Sequence, residues 1–371
     1  MNILFTGTTD FGGVSSYVST IIKYSKGINY FLFKDDSMDE INLKKLYPNS
    51  TFINFRQNYL FFSLNNLFKL KKHIVRFNID LVHAHTLRAG FQVAMCKFFI
   101  CRNLKIVYTG HGLRYTQKRY KLISLLFMLL EIITNSISNK VIFIRELDFN
   151  LSLKKRLSNS YKSIYVKTQI PITSVSSKEL DIREEYNIKT RYIIMNAGSI
   201  YDLKNPGLFI KIAKKMLILT KDITFIWFGG GNSRSELNQM LKYEGVDDYI
   251  KFVGPMSKEL MPSIYSQIDI FLLTSKVEVF PTVILESFLS KKLVFSSNFQ
   301  GVEEIISNGK TGFIYDFKNI NHISEEIINL LEDKTKYKEI TENAKENFND
   351  NFSNYHNLVQ IHTEMYKQLI S

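Results

Sequence analysis

The sequence predicts an α/β chain of two parallel-sheet domains. Short apolar runs alternate with longer helix-compatible stretches, a polar break near residue 170 divides these runs into two series, and glycine turns follow several of them directly. At 371 residues the chain is long enough for two cores.

In the first series the apolar runs are residues 2–5, 30–33, 81–83, 105–109 and 140–144. They read as buried parallel strands, each followed by a helix. The break comes at Gln169-Ile170-Pro171-Ile172 and the polar run after it. This sets a first domain of 1–170 and a second of 171–353. Runs at 191–197, 223–228, 250–253, 270–274 and 293–296 form the second series. The last segment, 354–371, has apolar residues at Leu358, Ile361, Met365 and Leu369, close to helical spacing, and is expected to return to the first domain. Open parallel sheets bind ligands beyond the carboxyl ends of their strands, so two such sheets facing each other would carry a site in the cleft between them.

Composition narrows the partners. The chain is 45% hydrophobic and 22% charged, which excludes wholesale disorder. Residues 1–170 hold 25 Lys and Arg against 9 Asp and Glu, while residues 171–371 hold 23 against 26. A basic half beside a near-neutral one implies an anionic partner for the first half, either nucleic acid or an anionic membrane surface. No recognised nucleic-acid-binding motif is present, which ranks nucleic acid last. Cys96 and Cys101 fit reduced thiols in a reducing compartment. No signal peptide is read at the N-terminus, and the longest apolar run, 122–133, is broken by Glu131 and too short to span a bilayer. A cytoplasmic protein is expected, peripheral on the inner face of the membrane. Phe68, Ile74 and Phe77 are read as one helix face flanked by Lys69, Lys72 and Arg76, and Arg114, Lys118, Arg119 and Lys121 lead into the apolar run.

The residues that could carry chemistry all follow predicted strands. Gly12 and Gly13 make a turn into a helix whose free N–H groups suit an anion, although a plain strand-to-helix turn accounts for them equally well. His111, between glycines at a strand end, reads as an exposed imidazole suited to ligand contact. His83 and His85 read as cleft-lining or structural, the structural reading being favoured, and without a third ligand no metal site is expected there. Gly198 and Ser199 open a turn with Lys204 six residues after the glycine, placing a cation near a helix start. A third glycine turn, 229–231, is neither a Walker loop nor a full dinucleotide fingerprint. Glu278 and Glu286 lie eight residues apart around Phe280-Pro281. Two carboxylates beside free helix amides suit a ligand with many hydroxyls and a phosphate between them.

Taken in order along nearly the whole chain, these elements resemble the retaining GT-B glycosyltransferases of family four, of the bacterial surface-polysaccharide type. The resemblance continues through Gly301-Val302-Glu303-Glu304-Ile305 and residues 308–313. It implies two Rossmann-like domains, the second binding the nucleotide sugar, and transfer of a sugar from a nucleotide diphosphate, UDP being the commoner choice, with retention at the anomeric carbon. By that resemblance Gly13 offers its amide near the transferred group and His111 contacts the donor sugar. Lys204 neutralises the diphosphate, and Glu278 holds sugar hydroxyls. Phe280 and Pro281 line the sugar–phosphate turn, and Glu286 binds the ribose. The acceptor would be a glycan, lipid-linked in many members of the family. Neither metal nor cofactor is expected, and no Asp-x-Asp occurs in the chain. Ser199 replaces the usual diphosphate-binding arginine, removing a charge worth about 2–4 kcal/mol at the leaving group, and Val279 replaces a glycine. The rival readings are a non-catalytic scaffold or partner subunit that binds a nucleotide sugar, and a nucleotide-sugar epimerase.

Overall fold

The structure is a computed structural model that describes the chain except residues 8–12, 35–39, 56–62, 114–120, 173–178 and 232 and the side chain of Asn42. The chain divides into two compact units, Met1–Ile170 with Asn354–Ser371, and Pro171–Ser353.

The first unit alternates strand and helix: β1 (Asn2–Thr6), α1 (Gly13–Tyr24), β2 (Asn29–Lys34), α2 (Glu40–Leu46), β3 (Ser50–Asn54), α3 (Leu64–Arg76), β4 (Leu81–Ala84), α4 (Leu87–Phe99), β5 (Lys105–Gly110), α5 (Lys121–Ile137), β6 (Lys140–Phe143), α6 (Glu146–Lys154) and β7 (Ser163–Tyr165). The strands form one parallel sheet in the order β3-β2-β1-β4-β5-β6-β7. All four residues of β4 are buried, as expected of a central strand covered on both faces. The edge strands β3 and β7 do not show as apolar runs in the sequence. Of β3 only Ile53 is buried, and β7 is three residues long with Ser163 as its buried member.

The second unit contains α7 (Ile182–Glu185), β8 (Tyr192–Ala197), α8 (Pro206–Leu219), β9 (Ile223–Phe228), α9 (Arg234–Tyr243), β10 (Ile250–Val253), α10 (Met261–Gln267), β11 (Ile270–Leu273), α11 (Thr282–Leu289), β12 (Leu293–Ser297), β13 (Phe313–Tyr315), α12 (Ile320–Glu332) and α13 (Lys334–Phe352). Its six strands are parallel, in the order β10-β9-β8-β11-β12-β13. Phe209, Phe225, Trp227 and Phe295 are fully buried in its core.

The last helix, α14 (Tyr355–Ile370), packs on α1 in the first unit. Its buried stripe differs from the expected one. Leu358 and Met365 are buried, but Ile361 and Leu369 lie at its margins, and Val359, His362 and Tyr366 complete it. Two polar side chains therefore enter the domain interior, where each finds a partner. On α3 the expected shared face is also corrected. Ile74 points into the core at 9% exposure while Phe68 points outward at 61%, because six residues on a helix fall on different sides.

In both sheets the strand order reverses next to the first strand of the unit, between β1 and β4 and between β8 and β11. Loops leaving a sheet on either side of such a point diverge and leave room for a ligand at the carboxyl ends.

Candidate active site

In the second unit the loops after β8 and β11 flank the switch point and are tied together. The Thr274 hydroxyl lies 3.1 Å from the Lys204 carbonyl oxygen and 3.3 Å from that of Asn205, and the Lys276 amide donates to the Leu203 carbonyl at 2.8 Å. A short 3-10 turn, Asp202–Lys204, ends at Asn205 in the left-handed region, and Pro206 then starts α8. The backbone so fixed directs the Lys204 ammonium onto the Glu278 carboxylate, a mostly buried ion pair joining the two loops. Its ammonium also lies beside Gly198, where an added Cβ would stand 3.8 Å from Nζ.

The strand ends meet at two glycines. Gly198 has φ +139° and takes the Trp227 indole N–H on its carbonyl at 2.8 Å. A Cβ on Gly229 would overlap that same carbonyl oxygen. We expect Gly229→Ala to destabilise the second domain by about 3 kcal/mol, because backbone must move against backbone. A melting curve measures this, and an unchanged midpoint would contradict the packing.

Glu286 lies one turn into α11 and is only partly exposed. Burial raises its pKa, opposed by hydrogen bonds from the Tyr265 and Thr282 hydroxyls and by the charge of Lys258. Tyr265 is itself buried, and its hydroxyl is held well above the usual phenol range, so it remains a donor. The carboxylate is thus held in place with acceptor capacity for hydroxyl groups. Phe280 departs from the expected role of its side chain. Its ring is 7% exposed and packs 6.0 Å from Phe352, so the turn before α11 presents backbone rather than this ring. Pro281 is buried as well, and Ser199 is exposed.

In the first unit His111 follows β5 but is not the exposed imidazole read from the sequence. It is partly buried, 5.5 Å from the Tyr17 ring, with Nε2 3.1 Å from Nδ1 of His85. Burial pushes its pKa down to about 3, so it is neutral at pH 7. Around it stand three histidines without any solvent exposure, His83, His85 and His362. His83 is bonded on one nitrogen to the Tyr366 hydroxyl at 2.6 Å and on the other to that of Thr109 at 2.7 Å. His362 Nδ1 lies 2.8 Å from the Leu358 carbonyl, which can only accept, so Nδ1 carries the proton and Nε2 accepts from the Tyr17 hydroxyl at 3.1 Å. His85 Nε2 is buried without a hydrogen-bond partner. An orphaned N–H is rarer than an orphaned acceptor, which favours His85 donating through Nδ1. Neutral His111 then accepts at Nε2 and carries its own proton on Nδ1, a donor for a ligand oxygen. Gly13 is the first residue of α1, and Gly12 lies outside the described residues.

The structure therefore brings Lys204, Glu278 and Gly198 together, and places Glu286 on the helix that follows Glu278. It adds Tyr265, Thr282 and Lys258 around Glu286, and Tyr17, His362 and Tyr366 around the first-unit histidines. Sequence reading missed most of these supports because they come from other segments: Tyr17 and His362 are 345 residues apart, whereas Thr282 lies one turn before Glu286 on the same helix. Among the described residues no group of three or more His, Cys, Asp or Glu is arranged to hold a metal ion.

Two parallel-sheet α/β units, of seven and six strands, make up the GT-B architecture, and solved structures that share this fold include a glycosyltransferase from Rickettsia africae, with a TM-score of 0.74 at 21% identity over 100% of this chain and 98% of that one. The Anabaena protein Alr3699/HepE, in complex with UDP and glucose, aligns over 99% of this chain and 100% of its own with a TM-score of 0.80 at 20% identity. Residues 178–347, most of the second unit, match the sequence family Glycosyl transferases group 1. Alpha-D-kanosaminyltransferase of Streptomyces kanamyceticus is 26% identical over 176 residues, 47% of this chain and 46% of that protein, so this match spans about half of each. The UDP-Gal:alpha-D-GlcNAc-diphosphoundecaprenol alpha-1,3-galactosyltransferase of Escherichia coli is 24% identical over 289 residues, 73% of this chain and 70% of that one.

Proposed function

We propose that this protein transfers a sugar from a UDP-sugar to a glycan acceptor carried on a lipid, with retention at the anomeric carbon and without a metal ion, in the synthesis of a surface polysaccharide. The observation that carries this reading is the Lys204–Glu278 pair at the second switch point, beside Gly198. The diphosphate of the donor competes with Glu278 for the Lys204 ammonium. Drawing Lys204 onto the phosphate frees the Glu278 carboxylate to accept from sugar hydroxyls, so one charge movement positions both parts of the donor. As the glycosidic bond to the diphosphate breaks, the leaving oxygens gain charge beside Lys204, where a fixed cation stabilises them more than it stabilises the ground state. Glu286 holds the ribose, with Tyr265 and Thr282 fixing its carboxylate. His111, neutral and oriented by His85, donates to a sugar oxygen, and the Gly13 amide is at the start of α1, whose Tyr17 ring lies 5.5 Å from the His111 ring.

Ser199 supplies no charge, which favours a second reading, a scaffold that binds the nucleotide sugar without turning it over. Arg234 is a candidate for the missing cation. It opens α9 after the glycine turn, and its guanidinium lies against Gly254 at the end of β10.

Calorimetry with bare UDP and with the UDP-sugar tests the assignment of the two carboxylates. Glu286→Ala is expected to weaken both ligands by about tenfold or more, the worth of one charge-assisted hydrogen bond, whereas Glu278→Ala weakens mainly the UDP-sugar. Equal losses of bare UDP in both variants would refute it. Transfer is expected to survive EDTA unchanged; abolition by EDTA, reversed by a divalent cation, would overturn the metal-free reading.

A further inference from the structure

Helix α5 is built the wrong way round for a helix facing only water. Its fully buried side chains are polar: Glu131, whose carboxylate takes the Tyr108 hydroxyl at 3.1 Å, Thr134, and Asn135, which donates to the Leu157 carbonyl at 3.1 Å. Its outward stripe is apolar. Leu122, Leu125, Leu126, Leu129 and Ile133 recur at helical spacing with exposures from 38% to 79%. No charged side chain interrupts that stripe.

The apolar surface continues onto the neighbouring helices. At the end of α4, which packs against α5, Phe98 and Phe99 are exposed as an edge-to-face pair 5.0 Å apart. On α3, packed against α4, the outward stripe is Leu64, Phe68, Lys71 and Val75, with Lys72 and Arg76 beside it. An exposed apolar surface running over three adjacent helices marks an interaction site. Its charge identifies the partner. Residues 64–140 hold 13 Lys and Arg against two acidic residues, one of which is the buried Glu131.

We propose that α3, the end of α4 and α5 form the surface by which this protein lies on an anionic lipid bilayer, α5 sinking its leucine stripe among the acyl chains and the basic residues of α3 resting on the headgroups. A second copy docked on this face by two-fold symmetry would set the same positive charges against each other. An anionic membrane is complementary to both features at once, since apolar insertion and basic attraction together give stable peripheral attachment. None of the described helices is long and apolar enough to cross a membrane, so α5 lies along the surface. The proposal rests on this surface alone and holds whatever the second domain binds.

Flotation with phosphatidylcholine vesicles, with and without phosphatidylglycerol, at low and high salt tests it. The wild-type chain is expected to float with the anionic vesicles at low salt, to bind them more weakly at high salt, and to ignore pure phosphatidylcholine. Leu122→Glu with Leu126→Glu, and separately Lys71→Glu with Lys72→Glu, are each expected to lower partitioning by about tenfold or more. Both pairs are solvent-facing, so far-UV circular dichroism and the melting midpoint should stay at wild-type values. Absence of flotation at low salt, or variants that float like the wild type, would overturn the proposal. So would a dimer in vesicle-free solution that the Leu122→Glu, Leu126→Glu variant dissociates, which would give this face to a second copy.

Discussion

Lys204→Ala is expected to lower the rate of sugar transfer by about a hundredfold to a thousandfold while the protein stays folded, the usual cost of losing one group aimed at developing charge. The expectation follows from where the ammonium stands. It is mostly buried, held by Glu278, and beside the backbone of Gly198 at the switch point of the second sheet. With Ser199 in place of an arginine, Lys204 is the one cation on the β8 loop, and Lys276 on the β11 loop is half-exposed and held by Asp202 at 2.8 Å. Removing Lys204 also leaves the Glu278 carboxylate partly buried without its counter-charge, which repels a diphosphate. The double variant Lys204→Ala, Glu278→Gln should therefore bind bare UDP better than Lys204→Ala alone. Unchanged turnover in Lys204→Ala would remove this residue from the mechanism.

Acidification is expected to unfold the first domain before the second. His83, His85, His111 and His362 are all held neutral by burial, the first two well below the usual range, His111 at about 3 and His362 at about 4. Their folded pKa values lie below the unfolded value, so the unfolded chain binds more protons as pH falls through about 6.5. Stability is complete above that value and is lost on the way down to the folded values. For His362 alone the loss amounts to about 2 kcal/mol by pH 5. His83, His85 and His111, also unprotonated in the folded protein at that pH, add to the loss in the same direction. His73, lowered by its partial burial, acts in the same direction, and Asp148, whose carboxyl is raised by burial, acts with the opposite sign. Thermal melts from pH 7.5 to pH 5 should show a first transition falling by several degrees, with a shallower slope in His362→Gln. A first transition insensitive to pH over that range would contradict the buried, neutral network.

The parallel-sheet architecture was legible because central strands of such sheets are buried on both faces. The runs 2–5, 81–83, 191–197 and 223–228 announce themselves by apolarity alone. Edge strands do not: β3 and β7 bury one residue each, and β13 is three residues long. The Lys204 and Glu278 positions were legible because each follows a central strand through a short turn, and the strand order then makes those two turns neighbours. The histidine network was not. His83 and His85 could be read as structural, but their partners Tyr17, His362 and Tyr366 come from helices at opposite ends of the chain, and only the fold joins them. The side-chain roles of Phe280 and Ile74 were misread for one reason. Position in a motif or a helix says which element a residue belongs to, while its direction depends on the packing of α13 for the first and of the sheet for the second.

The most direct test of the central claim is release of nucleoside diphosphate from a panel of nucleotide sugars, in the presence of EDTA, with and without a lipid-diphosphate-linked glycan. The account predicts that a UDP-sugar is turned over, that the glycan acceptor accelerates release, and that Lys204→Ala lowers it by about a hundredfold or more. A protein that binds UDP with Glu286 intact but releases no nucleoside diphosphate from any donor, with or without acceptor, would contradict it and establish the scaffold reading in its place.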